Sequence, residues 1–257
     1  MEQNVKNILM NNRTKFGLLG KDISYSFSRK YFSEKFKKLG LTTFKYNNLD
    51  IPEIEEFPFL LYHREHEYGG INVTIPYKES VMRYLNEIDA DAKKIGAVNT
   101  IKITEENKLV GYNTDYYGFL NSIKPLLKPH HNKALILGTG GASKAIAYAL
   151  EKLNIEFKFV SRRLGDNNFL YSVLNQQIIE EYTVIINCTP IGTYPNVDDA
   201  PAIPYQYISD KHLLFDLIYN PAESKFLLEG KSKGAITKNG YEMLELQAEK
   251  SWEIWNL

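Results

Sequence analysis

Two successive α/β segments are predicted by three observations. Strand-like apolar runs alternate with helix-period runs from TKFGLLG to about Asp115. The alternation restarts beyond Asp115, and the first strand of the restart, KALIL, runs directly into the glycine-rich turn GTGG. A length of 257 residues accommodates two ordinary domains or one large one.

The elements follow in order. TKFGLLG reads as a strand, and Tyr31, Phe32, Phe36 and Leu39 then recur at helical spacing until Gly40 supplies a stop. TTFKYNNL, GGINVTI and AVNTIKI read as further strands, with helical segments through ESVMRYL and ADAKKIG between the last two. This rhythm implies a largely parallel sheet covered by helices. After Asp115 a helix runs through YYGFLNSIKPLL, and four strand candidates follow: ALILG, EFKFV, TVIIN and LLFDLIY. Helical segments come after the first, second and fourth. The last stretch, Gly240 to Trp255, carries a strong helical pattern of its own and is expected to cross back onto the first segment.

Composition narrows the partners. Thirty-one basic residues balance 31 acidic ones, so there is no global reason to expect nucleic acid or an anionic membrane. No apolar run reaches the roughly 18 residues of a membrane span. The lone Cys188 cannot form an intrachain disulfide, and MEQNVKNILMNN is too polar for a signal peptide, so a cytoplasmic location is expected. The partner expected is a small molecule, bound by a monomer or homodimer.

In GTGGASKAIAYAL, Gly138, Gly140 and Gly141 open an alanine-rich helix, with Thr139 and Ala142 in the same turn. Glycines there let the backbone approach a pyrophosphate, whose charge the helix start stabilises. The motif is not the full G-x-G-x-x-G, and a purely structural turn is the other reading. Its setting between a strand and a helix, with EFKFV next, is that of a Rossmann-like dinucleotide-binding unit. Where an acid would hold the ribose of NAD, the chain reads Ser161, Arg162, Arg163. Paired guanidinium groups suit the additional phosphate of NADP, or are a solvated surface pair.

GINVTIPYK poses the other question. Ile71, Val73 and Ile75 alternate with Asn72 and Thr74, Pro76 ends the strand, and Lys78 stands just beyond it. By composition Lys78 is an ordinary surface charge. GAVNT and GYNTDYYG add Asn99, Asn113, Thr114 and Asp115, a set of amides, hydroxyls, one ammonium and one carboxylate that could bind a polyhydroxylated molecule. Asp115 is equally placed to serve as a first-turn helix acid. A lysine with an aspartate is a plausible proton-transfer pair for alcohol/ketone interconversion, with the hydride taken up by a nicotinamide.

At these residues the chain resembles the shikimate dehydrogenase family: G-x-N-V-T-x-P-x-K at Gly70 to Lys78, G-A-V-N-T at Gly96 to Thr100, and G-x-N-T-D-x-x-G at Gly111 to Gly118. The resemblance spans Phe16 to Trp255. It implies that Lys78 is the catalytic acid/base and Asp115 its partner, in a cleft between a substrate domain (1–115 and 239–257) and an NADP-binding domain (116–238). It implies that Ser26 and Ser28 in GLLGKDISYSFS hold the substrate carboxylate, and that Asn72, Thr74 and Asn99 contact substrate or order its neighbours. DLIYNP resembles the family's Asp-x-x-Tyr-x-Pro block and places Tyr219 near substrate and Leu217 near the nicotinamide. GYEMLELQAEKSW resembles the closing block and assigns Gly240 to the cofactor and Gln247 to a substrate hydroxyl.

The expected activity is reversible NADPH-dependent reduction of 3-dehydroshikimate to shikimate. The rivals are a quinate/shikimate dehydrogenase using NAD or NADP, and a non-catalytic NADP-sensing protein on the same fold. Tyr25 stands where the family usually has histidine, and Ser161, Arg163 and Pro190 depart from its usual adenine-side residues. His63 and His66 lack a third ligand at suitable spacing, so no metal is expected.

Overall fold

The computed structural model describes residues 13–24, 26–62, 67–163, 165 and 168–257. Tyr25, His63 and His66 lie outside the described residues. The chain divides into two compact units, Met1–Thr114 with Ala248–Leu257, and Asp115–Gln247. This division differs from the expected boundaries by one residue at the first junction and by residues 239–247 at the last. The reason is packing: Met243 belongs to the same buried cluster as Phe119 and Phe215.

The first unit comprises β1 (Lys15–Gly20), α1 (Phe27–Lys38), β2 (Lys45–Asp50), α2 (Phe57–Leu61), β3 (Tyr68–Val73), β4 (Glu87–Ile88), α3 (Ala90–Ile95), β5 (Thr100–Ile103) and β6 (Leu109–Tyr112). Its six-stranded sheet has the order β2-β1-β3-β5-β6-β4. β1 pairs in parallel with β2 and β3. β5 is antiparallel to both β3 and β6, a departure from the expected parallel sheet. For β5 and β6 the cause is a short turn: Thr104 N–H bonds to the Lys108 carbonyl at 2.9 Å and Asn107 takes φ 62°. A link this short closes a hairpin, whereas parallel strands need a crossover of a dozen or more residues. ESVMRYL forms a 3-10 turn over Ser80–Tyr84 rather than an α-helix.

Apolar residues fill both faces of this sheet. Leu19, Ile71, Val73 and Ile101 pack together on one side, and Phe16, Leu18, Phe32 and Tyr46 on the other. The second face is completed by the chain's end. Trp255 stacks near Phe16 and Phe32, at ring separations of 5.0 and 5.2 Å, and its indole N–H donates to the Ile101 carbonyl at 3.0 Å.

The second unit comprises α4 (Asp115–Ile123), β7 (Lys133–Leu137), α5 (Gly141–Lys152), β8 (Glu156–Ser161), β9 (Asn168–Leu170), α6 (Gln176–Glu181), β10 (Val184–Asn187), β11 (Leu213–Asp216), α7 (Lys225–Ser232) and β12 (Ile236–Lys238). The last helix, α8 (Tyr241–Trp255), begins here, and its residues from Ala248 onward belong to the first unit. The sheet is parallel throughout, in the order β12-β11-β10-β7-β8-β9. That is the doubly wound dinucleotide-binding order. The strands are continuous apolar runs because both faces are covered: Ala134, Ile136, Val184 and Ile186 join one cluster, and Leu135, Leu137, Ile185 and Leu214 the other.

Candidate active site

In the first unit β3 ends at Val73, and the chain turns with the Tyr77 N–H bonded to the Thr74 carbonyl at 2.9 Å. Tyr77 is buried and its hydroxyl donates to the Ile51 carbonyl at 2.8 Å, which anchors the residue before Lys78 in the core. Lys78 is half-buried, and its carbonyl accepts from the Val98 N–H at 2.7 Å. The next residue, Asn99, is buried. Its Oδ1 accepts from the Thr114 N–H at 2.6 Å and its Nδ2 donates to Thr114 Oγ1 at 3.0 Å. Thr114 immediately precedes Asp115, which is buried and opens α4. Three expected site residues, Lys78, Asn99 and Asp115, therefore hang on one chain of hydrogen bonds and covalent links, in which the Asn99 side chain bridges to the Thr114 N–H.

Asn72 is buried as well, so the polar edge of β3 faces other polar groups rather than solvent. Its Oδ1 accepts from the Tyr46 hydroxyl at 2.8 Å, and its Nδ2 donates to Ser251 Oγ at 2.9 Å and Thr100 Oγ1 at 3.2 Å. Thr100 and Ser251 bond to each other at 2.8 Å, and both reach Thr114 at 3.2 Å. Burial pushes the Tyr46 phenol far above its ordinary range, while a hydrogen bond from Ser28 pulls the other way. The network thus joins Ser28, Asn72, Asn99 and Thr114 through Tyr46, Thr100 and Ser251, three residues that sequence reasoning missed. Ser251 was detectable: it lies four residues after Gln247 and four before Trp255, a small polar residue on the buried stripe of α8.

The segment carrying Ser26 is held from β2. Asp50 accepts from the N–H groups of Asp22 and Ile23, at 2.9 and 3.1 Å. Asn48 Nδ2 donates to the Ile23 carbonyl at 2.8 Å, and the same carbonyl accepts from the Ser26 N–H at 3.1 Å. Ser26 Oγ is buried without a partner among the described residues. An orphaned buried hydroxyl is costly unless a ligand completes it. Thr74 is half-buried and its N–H bonds to the Leu19 carbonyl at 2.9 Å.

In the second unit, Gly138 takes φ 101°, a conformation glycine adopts at no steric cost. Its N–H bonds to the Val160 carbonyl at 2.9 Å, which ties the turn to the end of β8. Thr139 and Gly140 are exposed, and a Cβ built on Gly140 would meet nothing within 4 Å. α5 starts at Gly141 and Ala142 without a side-chain cap on its N-terminus, leaving first-turn N–H groups for an anion. At the end of β8, Ser161 Oγ accepts from Asn168 Nδ2 at 2.7 Å and from the Arg163 N–H at 3.1 Å, so it shapes the loop. Arg162 and Arg163 are exposed at its tip. Open backbone, a bare helix start and two guanidinium groups fit the phosphates of NADP.

Leu217 and Gly240 meet at the end of β11. A Cβ on Gly240 would fall 2.2 Å from the Leu217 carbonyl oxygen, so no larger residue fits without movement. Tyr219 is half-buried in the same loop, while Gln247 is buried and donates to the Leu244 carbonyl at 2.9 Å. Asp216, the last residue of β11, is fully buried. Burial pushes its carboxyl up to about 6, against hydrogen bonds from Ser224, Ile218 and Asn187 that pull down. With the folded value raised, the folded chain binds more protons between about pH 4 and 6, so stability falls as pH rises through that window. Above it the carboxylate costs about 3 kcal/mol. Asp216→Asn is expected to raise the melting temperature at pH 7.5, with the gain fading toward pH 4. Melts across that range check it, and an equal gain at both ends contradicts it.

A doubly wound parallel sheet with an open glycine-rich turn, in a chain whose other unit carries a lysine and a buried amide–hydroxyl network, defines a nicotinamide-dependent oxidoreductase of the α/β class. Comparisons agree. The family model for the shikimate dehydrogenase substrate binding domain matches residues 18–101. The chain is 39% identical to a shikimate dehydrogenase (NADP(+)) of Clostridium botulinum over 251 residues, covering 94% of this chain and 96% of that one. It is 40% identical to one from Methanococcus maripaludis over 263 residues, with 96% and 94% covered. Among solved structures, shikimate 5-dehydrogenase from Thermus thermophilus in complex with NADP(H) and shikimate is similar at a TM-score of 0.78 and 29% identity, covering 94% and 92%. The chain belongs to the shikimate dehydrogenase family.

Proposed function

We propose that this chain catalyses the reversible NADPH-dependent reduction of 3-dehydroshikimate to shikimate, a step toward chorismate and the aromatic amino acids, in the cytoplasm. The observation that carries the reading is the linkage of Lys78, Asn99 and Asp115 through the Val98 N–H and Thr114. In the oxidative direction Lys78 Nζ takes the proton of the hydroxyl being oxidised, and in reduction it returns it. Asp115 partners the lysine and holds a neighbouring hydroxyl. Ser26 and Ser28 orient the carboxylate, Thr74, Asn99, Tyr219 and Gln247 complete the substrate shell, and Asn72 orders it from behind. The turn Gly138–Thr139–Gly140–Gly141–Ala142 would hold the pyrophosphate, Arg162 and Arg163 the 2′-phosphate, with Ser161 shaping their loop, and Leu217 and Gly240 the nicotinamide end. Bound NADP supplies the hydride acceptor.

An absorbance assay of NADPH formation with shikimate and with quinate tests this. Activity with shikimate supports the reading; preference for quinate favours the quinate/shikimate rival; no activity with either sinks it.

Cofactor choice gives a separate expectation. An exposed guanidinium pairing with the 2′-phosphate makes a contact NAD lacks, so NADP is preferred by at least about tenfold, or roughly 1.4 kcal/mol. Arg162→Ala narrows this preference chiefly by weakening NADP, and Arg163→Ala does less. Raising ionic strength raises the KM for NADP more than that for NAD, because screening acts on the additional phosphate. Equal use of both cofactors by the unmodified protein contradicts the assignment.

A further inference from the structure

We propose that Asp216 is a positioning residue for this reaction: its buried carboxylate ties together the loops that follow β10 and β11 and thereby holds Leu217 and Tyr219 in register. This rests on the function proposed above. Asp216 Oδ1 accepts from the Ile218 N–H and from Asn187 Nδ2, both at 3.0 Å, and Oδ2 accepts from the Ser224 hydroxyl. Asn187, the last residue of β10, extends the tie. Its Oδ1 accepts from the Thr189 N–H at 3.0 Å and Thr189 Oγ1 at 2.7 Å, and its Nδ2 also donates to the Ile191 carbonyl at 3.4 Å.

One carboxylate and one amide therefore fix residues 187–191 and 216–224. These loops leave the carboxyl ends of adjacent strands, the edge at which doubly wound parallel sheets bind their ligands. The register is carried onward by backbone bonds. The Leu217 N–H bonds to the Asn187 carbonyl at 3.0 Å, and the Gly240 N–H to the Ile218 carbonyl at 3.1 Å. Ser224 is itself buried and precedes α7, so the helix start is drawn into the same cluster. A fully buried carboxylate with three donors, none of them a cation, is a poor stability device, since apolar packing there would avoid the desolvation. Its three acceptor sites are what an apolar residue could not supply.

The test compares Asp216→Ala, which removes all three acceptor sites, with Asp216→Asn. The asparagine keeps one oxygen for Ile218 and Asn187 and can turn its amide toward Ser224. In Asp216→Ala, kcat for shikimate oxidation is expected to fall at least about tenfold, because small misplacements of reacting groups are expensive. The Kd for NADPH, read from its fluorescence, changes by less than about threefold, since the phosphates are held elsewhere. Asp216→Asn restores kcat to within about threefold of the parent. Amide exchange at Thr189, Ile191 and Ile218 quickens at least about tenfold in the alanine variant and not in the asparagine one.

Equal losses of kcat and NADPH affinity, failure of asparagine to restore turnover, or unchanged exchange in Asp216→Ala overturns the proposal. If the alanine variant does not fold, Ser224→Ala is read the same way: removing one tie lowers kcat about threefold at an unchanged NADPH Kd, and an unchanged kcat overturns it. Exchange reads the tie without substrate. A parent protein inactive on shikimate thus overturns the proposed function and leaves exchange to decide whether the tie exists.

Discussion

Replacing Lys78 with methionine lowers kcat by about 10²- to 10⁴-fold, the range a positioned general acid/base contributes. The fold survives, because what anchors position 78 is not its ammonium group. The carbonyl of Lys78 takes the Val98 N–H, and Tyr77 is pinned in the core through its hydroxyl bond to Ile51. Methionine preserves the length and apolar stem of the side chain and deletes the proton carrier. KM for shikimate changes much less than kcat, since the carboxylate contacts and buried amides are untouched. Steady-state kinetics on the folded variant check this. A fall of less than about threefold removes Lys78 from the acid/base role.

Strands that are buried on both faces announced themselves in the sequence. ALILG, TVIIN and LLFD are unbroken apolar runs because a doubly wound sheet has no wet face, and all three are central strands. The short edge strands β9 and β12 were not legible: three residues each, they are held by pairing with β8 and β11 rather than by any pattern of their own. The antiparallel part of the first sheet was hidden because KLVGY, with Gly111 inside it, has no alternation to read.

The candidate site divides similarly. Polar residues at strand ends, such as Asn72, Asn99 and Lys78, stood out against apolar neighbours. The residues that hold them did not. Tyr46 and Thr100 have ordinary strand preferences, and Asn48 and Asp50 look like the polar end of an exposed strand. Only the fold brings Asn48 and Asp50 against the backbone of residues 22 and 23. Asp216 was visible as a motif letter, but its burial and its three donors were not.

Removing both hydroxyls with Ser26→Ala plus Ser28→Ala raises the KM for shikimate by at least about 30-fold, taking the Ser26 bond to the charged carboxylate at the low end of about 1.5 to 3 kcal/mol and the Ser28 bond below that range. The two single variants are not equivalent. The Tyr46 hydroxyl gives its proton to Asn72, so in the Ser28–Tyr46 bond Ser28 must be the donor. A serine has one proton, and turning it toward a carboxylate forfeits the bond to Tyr46. Ser26 Oγ has no such prior engagement among the described residues. Ser26→Ala therefore costs at least about tenfold in KM and Ser28→Ala less, about threefold. In both, kcat stays close to the parent, because the lost bonds are made equally in the ground and transition states. Michaelis constants for the two single variants and the double variant decide it. An unchanged KM in all three places the carboxylate elsewhere, and a larger effect at Ser28 than at Ser26 refutes the proton accounting.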